Sequence, residues 1–241
     1  MNRKLPVVAI DGPAGAGKST VTQRVAASLG YVVLDTGALY RSVALAALRR
    51  GIDWSDGPRV AAVASELAAR RAIEFRSLDA EEPKNAQQTV WLDHENVTVV
   101  IRSPEVSTGA SRVSAVPEVR AALLELQRNV GREGGVVVEG RDIGSVVFPD
   151  AEAKFFLTAS VEIRARRRLD ELLARGERTD FESVARDVRE RDDRDRTRAV
   201  APLTQAPDAQ LVDSSALSID EVVQIIVQRV KLVELSLAQS S

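Results

Sequence analysis

Short runs of apolar, mostly β-branched residues recur along the chain, and longer amphipathic stretches separate them. The runs do not alternate strictly between apolar and polar positions, which indicates strands covered on both faces. Such strands are typical of a parallel sheet enclosed by helices. The five runs are VVAI (7–10), YVVL (31–34), VVVE (136–139), KFFL (154–157) and QLVD (210–213). The pattern therefore predicts an α/β fold with a parallel sheet.

Helical periodicity fills most of the remaining chain, and several of the helical stretches begin near a Ser, Thr or Asp that could cap them. The predicted helices cover 18–29, 38–50, 58–71, 117–130, 160–175, 181–198 and 219–234. Between 72 and 101 the composition changes to Thr, Val, Ile, Phe and Trp, with the turn-like HEN separating two runs. We therefore predict a small antiparallel insertion in the α/β domain. The lone His94 lies in that turn, where we expect it to be exposed and without a catalytic role.

Composition limits the classes of function. With 44% apolar residues among 241, the chain can bury a substantial core. Its 33 basic and 35 acidic residues nearly cancel, so a global basic field for nucleic-acid binding is absent from the sequence. The absence of cysteine excludes disulfides and thiolate chemistry, and no run of 18 apolar residues occurs. We expect a cytoplasmic protein with neither a nucleic-acid nor a membrane partner.

A phosphate-binding loop directly follows the first predicted strand. The segment GPAGAGKST fits the pattern G-x-x-x-x-G-K-[ST] through Gly12, Gly17, Lys18 and Ser19. Backbone N–H groups of such a loop cradle phosphates, the lysine reaches the β and γ phosphates, and the hydroxyl can ligate Mg²⁺. Chance would give this pattern in about one in a hundred chains of this length. Its position between a strand and a helix favours a nucleotide site over a ligand-free turn.

Two further segments place charge at the ends of predicted strands. DTGALYR runs from Asp35 to Arg41, and its arginine could pair bidentately with a second phosphate group or could be a surface residue on a capped helix. EGRDIG places Glu139, Arg141 and Asp142 at the carboxyl end of another strand. Ligands bind at this edge of open α/β sheets, which favours a site over a solvated turn.

Arginines are concentrated in a predicted helical hairpin, where they could form a mobile cover over a transferring phosphoryl group. They are Arg164, Arg166, Arg167, Arg168, Arg175 and Arg178. For any single one of them, a solvated helix face is the alternative. We do not expect all six to contact substrate.

The charged segment ERDDRDRTRAV, residues 190–200, has a comparable ambiguity. Mixed-sign runs usually form a solvated helix face. In a helix, however, Arg191, Asp195 and Arg198 would share one face, with a carboxylate between two guanidiniums. We predict that this face is a site and that the remainder is solvated. That remainder is Asp192, Asp193, Arg194 and Arg196.

These segments together resemble the bacterial cytidylate kinase family, the P-loop nucleoside monophosphate kinases that act on CMP and dCMP. The resemblance runs nearly end to end, through IDGPAGAGKST, LDTGALYR, EGRDIGSVVFPDA, FLTAS, RDDRDRTRAVAPL and LSIDEVV. It implies a five-stranded parallel sheet in a single domain, 1–241, with a monophosphate-binding part near 39–115 and a helical lid near 160–180. The insertion resembles the extra substrate-domain sheet of that family. A monomer that uses ATP, Mg²⁺ and CMP or dCMP is implied as well.

The resemblance also implies roles for individual residues. ATP would bind Gly12, Pro13, Ala14, Gly15, Ala16, Gly17, Lys18, Ser19 and Thr20, with Ser19 on Mg²⁺. The acceptor's phosphate would meet Thr36, Arg41 and Arg141, the cytosine would face Ser111, Arg120 and Asp142, and the sugar hydroxyls would bind Arg191 and Asp195. Arg198 would reach the acceptor's phosphate or base. The catalytic set would be Lys18, Arg141, Arg167 and Arg168, the last two contacting the transferring group. Two positions depart from the family pattern, since Glu139 stands where many members have Asp and Ser19 where some have Gly.

Two alternatives differ in what they require of the sequence. A kinase of another small acceptor, such as UMP or AMP, would not need the cytosine-facing set Ser111, Arg120 and Asp142. A P-loop switch that signals through a partner would be expected to carry a guanine-reading N-K-x-D segment, and the sequence contains none. The sequence therefore favours an ATP-dependent kinase of CMP and dCMP.

Overall fold

The computed structural model describes residues 3–77, 88–174 and 176–239. The strands are β1 Val7–Asp11, β2 Val32–Asp35, β3 Ile73–Ser77, β4 Gln88–Leu92, β5 Glu95–Asn96, β6 Val136–Gly140, β7 Ala153–Thr158 and β8 Gln210–Asp213. Five of these strands form one parallel sheet in the order β2-β6-β1-β7-β8. The predicted α/β fold is confirmed. Residues 78–87 of the predicted insertion and Arg175 of the predicted hairpin lie outside the described residues.

The register of the central strands determines where the site can form. The strands β1 and β6 are buried at every position, as their unbroken apolar runs predict. In the parallel ladders Asp11 is level with Gly140, and Asp35 is level with Glu139. Since parallel strands end at the same edge of the sheet, the segments after β1, β2 and β6 all leave from one edge.

The helices are α1 Lys18–Leu29, α2 Thr36–Arg49, α3 Gly57–Ala69, α4 Pro104–Val113, α5 Pro117–Val130, α6 Val161–Ala174, α7 Phe181–Thr197 and α8 Ile219–Gln239. Two predicted helices, 18–29 and 117–130, have the observed bounds. The helix α2 begins two residues earlier than predicted, because the Asp35 carboxylate accepts a hydrogen bond from Ala38 N and caps it. Sequence periodicity did not predict α4. Ser103 caps α4 and Pro104 occupies its first turn.

The insertion is antiparallel, as predicted, with β4 between β3 and β5 among the described residues. Asp93 and His94 form its turn with positive φ values of 48° and 67°. The His94 side chain is exposed and lies 3.7 Å from Glu74. The predicted turn is confirmed at His94, but Glu95 and Asn96 form β5 and the following run ends in a 3₁₀ turn, Val100–Arg102.

The helices bury separate parts of the core. The helices α2 to α5 pack around Leu67, Ile101 and Leu123, while α1 and α8 cover the opposite face of the sheet with β-branched residues. The helices α6 and α7 form an antiparallel hairpin with an apolar seam of its own, which includes Leu169 and Val188. None of the described helices has the combination of length and hydropathy that a membrane span requires.

Candidate active site

The loop after β1 has the backbone geometry of a phosphate cradle. Gly12 has φ +152°, and a β-carbon there would lie 1.9 Å from the Leu157 carbonyl oxygen, so only glycine fits. Gly17 has φ +90° and caps α1 without a side chain, so the N-terminus of α1 opens into the loop. Lys18 Nζ donates to the carbonyl oxygens of Gly12 and Pro13, each at 2.7 Å. Burial, reinforced by the charge of Arg141, holds the Lys18 pKa well below its usual range. A phosphate group bound in the loop would compensate the buried positive charge of Lys18.

A hydroxyl and a carboxylate meet beside this loop. Ser19 Oγ donates to Glu139 Oε2 at 3.0 Å. Burial raises the pKa of Glu139 to about 7, and the charge of Asp35 adds to the rise while Lys18 opposes it. Oxygen ligands of this kind suit Mg²⁺, which usually keeps waters and substrate phosphates in its shell. Among the described residues no cluster of three acidic or histidine side chains could hold a metal by itself. Ser19 and Glu139 therefore fit an ion that arrives with a nucleotide.

Across the edge of the sheet, the start of α2 contributes an arginine and a hydroxyl. Arg41 pairs with Asp35 at 2.5 Å, and Thr36 Oγ1 donates to the Glu139 carbonyl oxygen at 2.8 Å. The guanidinium of Arg102 lies 3.7 Å from the same Asp35 carboxylate. Sequence reasoning did not single out Arg102, because it follows the insertion rather than a buried strand.

The predicted face of α7 meets the segment after β6, although α7 ends at Thr197 and Arg198 follows it with an extended backbone. Arg141 Nε donates to Asp195 Oδ2 at 2.8 Å, and both side chains are largely buried. Burial alone would raise the Asp195 pKa, but the guanidiniums of Arg141, Arg191 and Arg198 lower it. Burial, followed by the charge of Arg141, lowers the pKa of Arg191 to about 10. The structure thus brings Asp195 together with Arg141, Arg191 and Arg198 in one cluster of charged side chains.

A second charged group lies alongside it. The two Asp142 oxygens accept hydrogen bonds from different guanidiniums, Oδ1 from Arg198 at 3.0 Å and Oδ2 from Arg120. Arg120 also donates to the Ser114 carbonyl oxygen and lies over the ring of Tyr40. Of the set predicted to face a base, Arg120 and Asp142 are joined directly. Ser111 is buried nearby, with its hydroxyl 3.4 Å from Arg194 Nε.

The two lid arginines face different surroundings. Arg167 donates to the Ala16 carbonyl oxygen at 3.3 Å and to Ser214 O at 2.8 Å. It lines a cavity of about 210 Å³ on the outer side of the phosphate loop, together with Gly15, Val21 and Leu217. Arg168 pairs with Glu171 at 3.0 Å and is partly buried. Contact of either residue with a transferring phosphoryl group stays a prediction.

The expectation that Asp192 is solvated is wrong, and so is the surface alternative for Arg164. Their side chains form an ion pair of 2.7 Å, with only 4% and 3% of their surfaces exposed. The reason is the apolar seam of α7, which continues from Val184 through Val188 to position 192 at helical spacing. That periodicity was readable in the sequence. The other three members of the predicted solvated remainder, Asp193, Arg194 and Arg196, are exposed as expected.

Sequence reasoning also missed Asp11, the last residue of β1. Its two carboxylate oxygens accept hydrogen bonds from the backbone N–H groups of Ile143 and Gly144, each at 2.8 Å. These residues begin a π-helical turn, Ile143–Val147, directly after Arg141 and Asp142. Asp11 therefore holds the segment that presents both charged residues. Burial raises its pKa to about 6, although the two N–H groups oppose the rise.

This raised pKa predicts a pH-dependent contribution to stability. Because the folded pKa lies above the ordinary value of 3.8, ionising Asp11 costs stability as pH rises toward about 6. Asp11→Asn removes that titration. We expect the difference in unfolding free energy, wild type minus variant, to fall by about 1 kcal/mol between about pH 5 and pH 7.5 in urea titrations. A constant difference across this range would contradict the assignment.

Comparison with known proteins agrees over almost the whole chain. A family model described as cytidylate kinase matches residues 8–232. A relative named cytidylate kinase from Pelotomaculum thermopropionicum is 51% identical over 225 residues, which are 93% of this chain and 96% of the relative. A second relative named cytidylate kinase, from Exiguobacterium sp., is 48% identical over 219 residues. These residues are 91% of this chain and 93% of the relative. A solved structure of an uncharacterized protein from Eubacterium ventriosum has a TM-score of 0.52 at 11% identity. The match covers 95% of this chain and 99% of that protein, and it supports the fold alone.

Proposed function

Since the chain belongs to the cytidylate kinase family, we propose that it transfers the γ-phosphoryl group of ATP to CMP or dCMP, giving ADP and CDP or dCDP. The observation that carries this conclusion is the family match over residues 8–232. The geometry supports it, because the phosphate loop, Arg41 and Arg141 all follow strands that end at the same edge of the sheet. A donor site and an acceptor site can therefore face each other across that edge.

On the donor side, the ATP phosphates lie on the loop from Gly12 to Thr20. Lys18 exchanges its two carbonyl contacts for the β and γ phosphates, which compensates its buried charge. Ser19 and Glu139 would hold Mg²⁺, which would neutralise part of the phosphate charge. These two residues would supply only part of the coordination shell of the cation and would leave the rest to phosphate and water.

On the acceptor side, we divide CMP among the charged groups by the chemistry of its parts. The phosphate binds Thr36, Arg41 and Arg141, whose hydroxyl and guanidiniums suit an anion. The cytosine faces Ser111, Arg120 and Asp142, where a carboxylate can accept from the N4 amino group. Arg191 and Asp195 bind the sugar hydroxyls, and Arg198 reaches the phosphate or the base. The part near 39–115 is then the monophosphate-binding region.

Transfer is a direct in-line displacement. An oxygen of the CMP phosphate forms the new bond to the γ phosphorus, while the bond to the β–γ bridging oxygen breaks and ADP leaves. The transition state spreads negative charge, and Lys18 with Arg141, Arg167 and Arg168 stabilises it. The lid near 160–180, which contains α6, excludes water from the transferring group. No general base is required, because the attacking phosphate oxygen is already ionised.

The experiment that tests this proposal follows both products at once. Purified protein with ATP, Mg²⁺ and CMP should yield ADP and CDP in equal amounts, measured by ion-exchange chromatography. Without CMP, we expect ADP formation to be slower by at least about a hundredfold, because the acceptor's phosphate completes the site. ADP that appears without CDP would instead indicate a nucleotide hydrolase or switch.

A further inference from the structure

The buried ion pair between Arg164 and Asp192 has no role in the site as assigned above. Nη2 of Arg164 lies 2.7 Å from Oδ2 of Asp192. Neither side chain belongs to the phosphate loop or to the predicted acceptor face. The pair lies between the two, and each end contacts one of them.

The Arg164 end is fixed to the donor loop. Nη1 donates to the carbonyl oxygen of Ala14 in the phosphate loop at 3.0 Å, and Nε donates to Ala159 O after β7 at 2.9 Å. The backbone of α6 also lies against the loop, since a β-carbon on Gly15 would come within 3.0 Å of Arg164 O. The guanidinium thus holds the peptide whose neighbours would wrap the phosphates of ATP.

The Asp192 end is fixed to the acceptor helix. In α7 it stands next to Arg191 and one turn before Asp195, the residues proposed to bind the sugar. Burial would lower the pKa of Arg141, but the charges of Asp195 and Glu139 raise it above its usual range. Asp192 makes a smaller contribution in the same direction. Because Asp192 shares one turn of α7 with Arg191 and Asp195, a shift of Asp192 moves the helix that carries them.

Stability alone is a poor reason for burying this pair. Removing two charges from water costs about as much as their attraction returns, and apolar side chains of similar volume often serve equally well. The apolar seam of α6 and α7 already joins the two helices, through Ala165, Ala185 and Val188 among others. What the charged pair adds is a fixed geometry between the Ala14 carbonyl and α7.

We propose that Arg164 and Asp192 are positioning residues that couple the two substrate sites, so that ATP on the loop increases the affinity for CMP. The pair transmits the position of the Ala14 peptide to α7 and thus to Arg191 and Asp195. Because coupling of binding is reciprocal, CMP increases the affinity for ATP by the same factor. This inference rests on the proposed function, since it takes CMP as the acceptor.

The test measures CMP binding by titration calorimetry with and without a non-hydrolysable ATP analogue and Mg²⁺. In the wild-type protein we expect CMP to bind at least about fivefold tighter when the analogue is present. Asp192→Asn should reduce this factor to below about twofold. The exposed neighbour provides the matched control, and Asp193→Asn should retain the wild-type factor. A wild-type factor in the Asp192→Asn variant, or no coupling in a wild type that binds CMP, would overturn the proposal.

A double variant separates coupling from folding. Arg164→Met with Asp192→Leu removes both charges, so neither is left buried alone, and the melting temperature should recover relative to Asp192→Asn. We expect the coupling factor to stay below about twofold in this variant. If coupling returned together with stability, the pair would be a packing feature only. If Asp192→Asn does not fold, the double variant decides alone. Failure of the proposed function would look different, as a wild type that makes no CDP from CMP.

Discussion

Replacing Lys18 by Ala lowers kcat for CDP formation by at least about a hundredfold, while the dissociation constant for CMP changes little. The reason is that Lys18 lies inside the phosphate loop, where its ammonium donates to the Gly12 and Pro13 carbonyls and donor phosphates would replace these contacts. A single preorganised charge contact of this kind is typically worth about 10²–10³ in rate. Steady-state kinetics with saturating ATP and CMP, together with calorimetry for CMP, measure the two quantities separately.

The exposed Lys4 supplies the matched control, because Lys4→Ala removes the same charge away from the loop. It should leave kcat within about twofold of wild type, as exposed charges contribute ~0–1 kcal/mol. A Lys18→Ala variant that kept more than about a tenth of wild-type turnover would contradict the assignment of the donor site.

Asp195→Ala raises the KM for CMP by about 10- to 100-fold, with a much smaller change in the KM for ATP. Its carboxylate forms the ion pair with Arg141 and lies among Arg191 and Arg198, so its loss removes a charged hydrogen bond worth ~1.5–3 kcal/mol and leaves guanidiniums unopposed. The proposed sugar contact disappears as well. Steady-state kinetics with each substrate varied in turn provides the measurement.

Asp193→Ala is the appropriate control for this variant, since Asp193 is exposed two residues away. Asp192 cannot serve, because the structure buries it against Arg164. The site assignment in α7 is wrong if Asp195→Ala and Asp193→Ala both leave the KM for CMP and the melting temperature almost unchanged.

The parallel sheet and the phosphate loop were predictable because each depends on local sequence. Short runs rich in apolar residues located all five strands, although the edge strands β2 and β8 are not covered on both faces as the runs predicted. The glycine spacing located the phosphate loop, where the φ value of Gly12 requires glycine. The sequence also indicated that Arg141 and Asp195 belong to one site, because Arg141 follows a buried strand and Asp195 shares a helix face with Arg191.

The remaining features depend on packing between segments that are distant in sequence. Asp11 contacts Ile143 and Gly144 across more than a hundred residues, so nothing local to β1 indicates that contact. The helix α4 has a cap signal. Its sequence PEVSTGASRV has too few apolar positions to show helical periodicity. Asp192 differs from both, because the periodicity of α7 places it on the apolar seam, whereas its charge favours an exposed position.

The central claim is that this enzyme selects CMP and dCMP as phosphoryl acceptors. The most direct measurement compares kcat/KM for CMP, dCMP, UMP and AMP with saturating ATP and Mg²⁺. Buried polar groups at the base edge, Arg120 and Asp142 above all, would be mispaired by other bases at a cost of about 1–3 kcal/mol. We expect kcat/KM for CMP and dCMP to exceed that for the other acceptors by at least about tenfold. AMP as the best acceptor would contradict it.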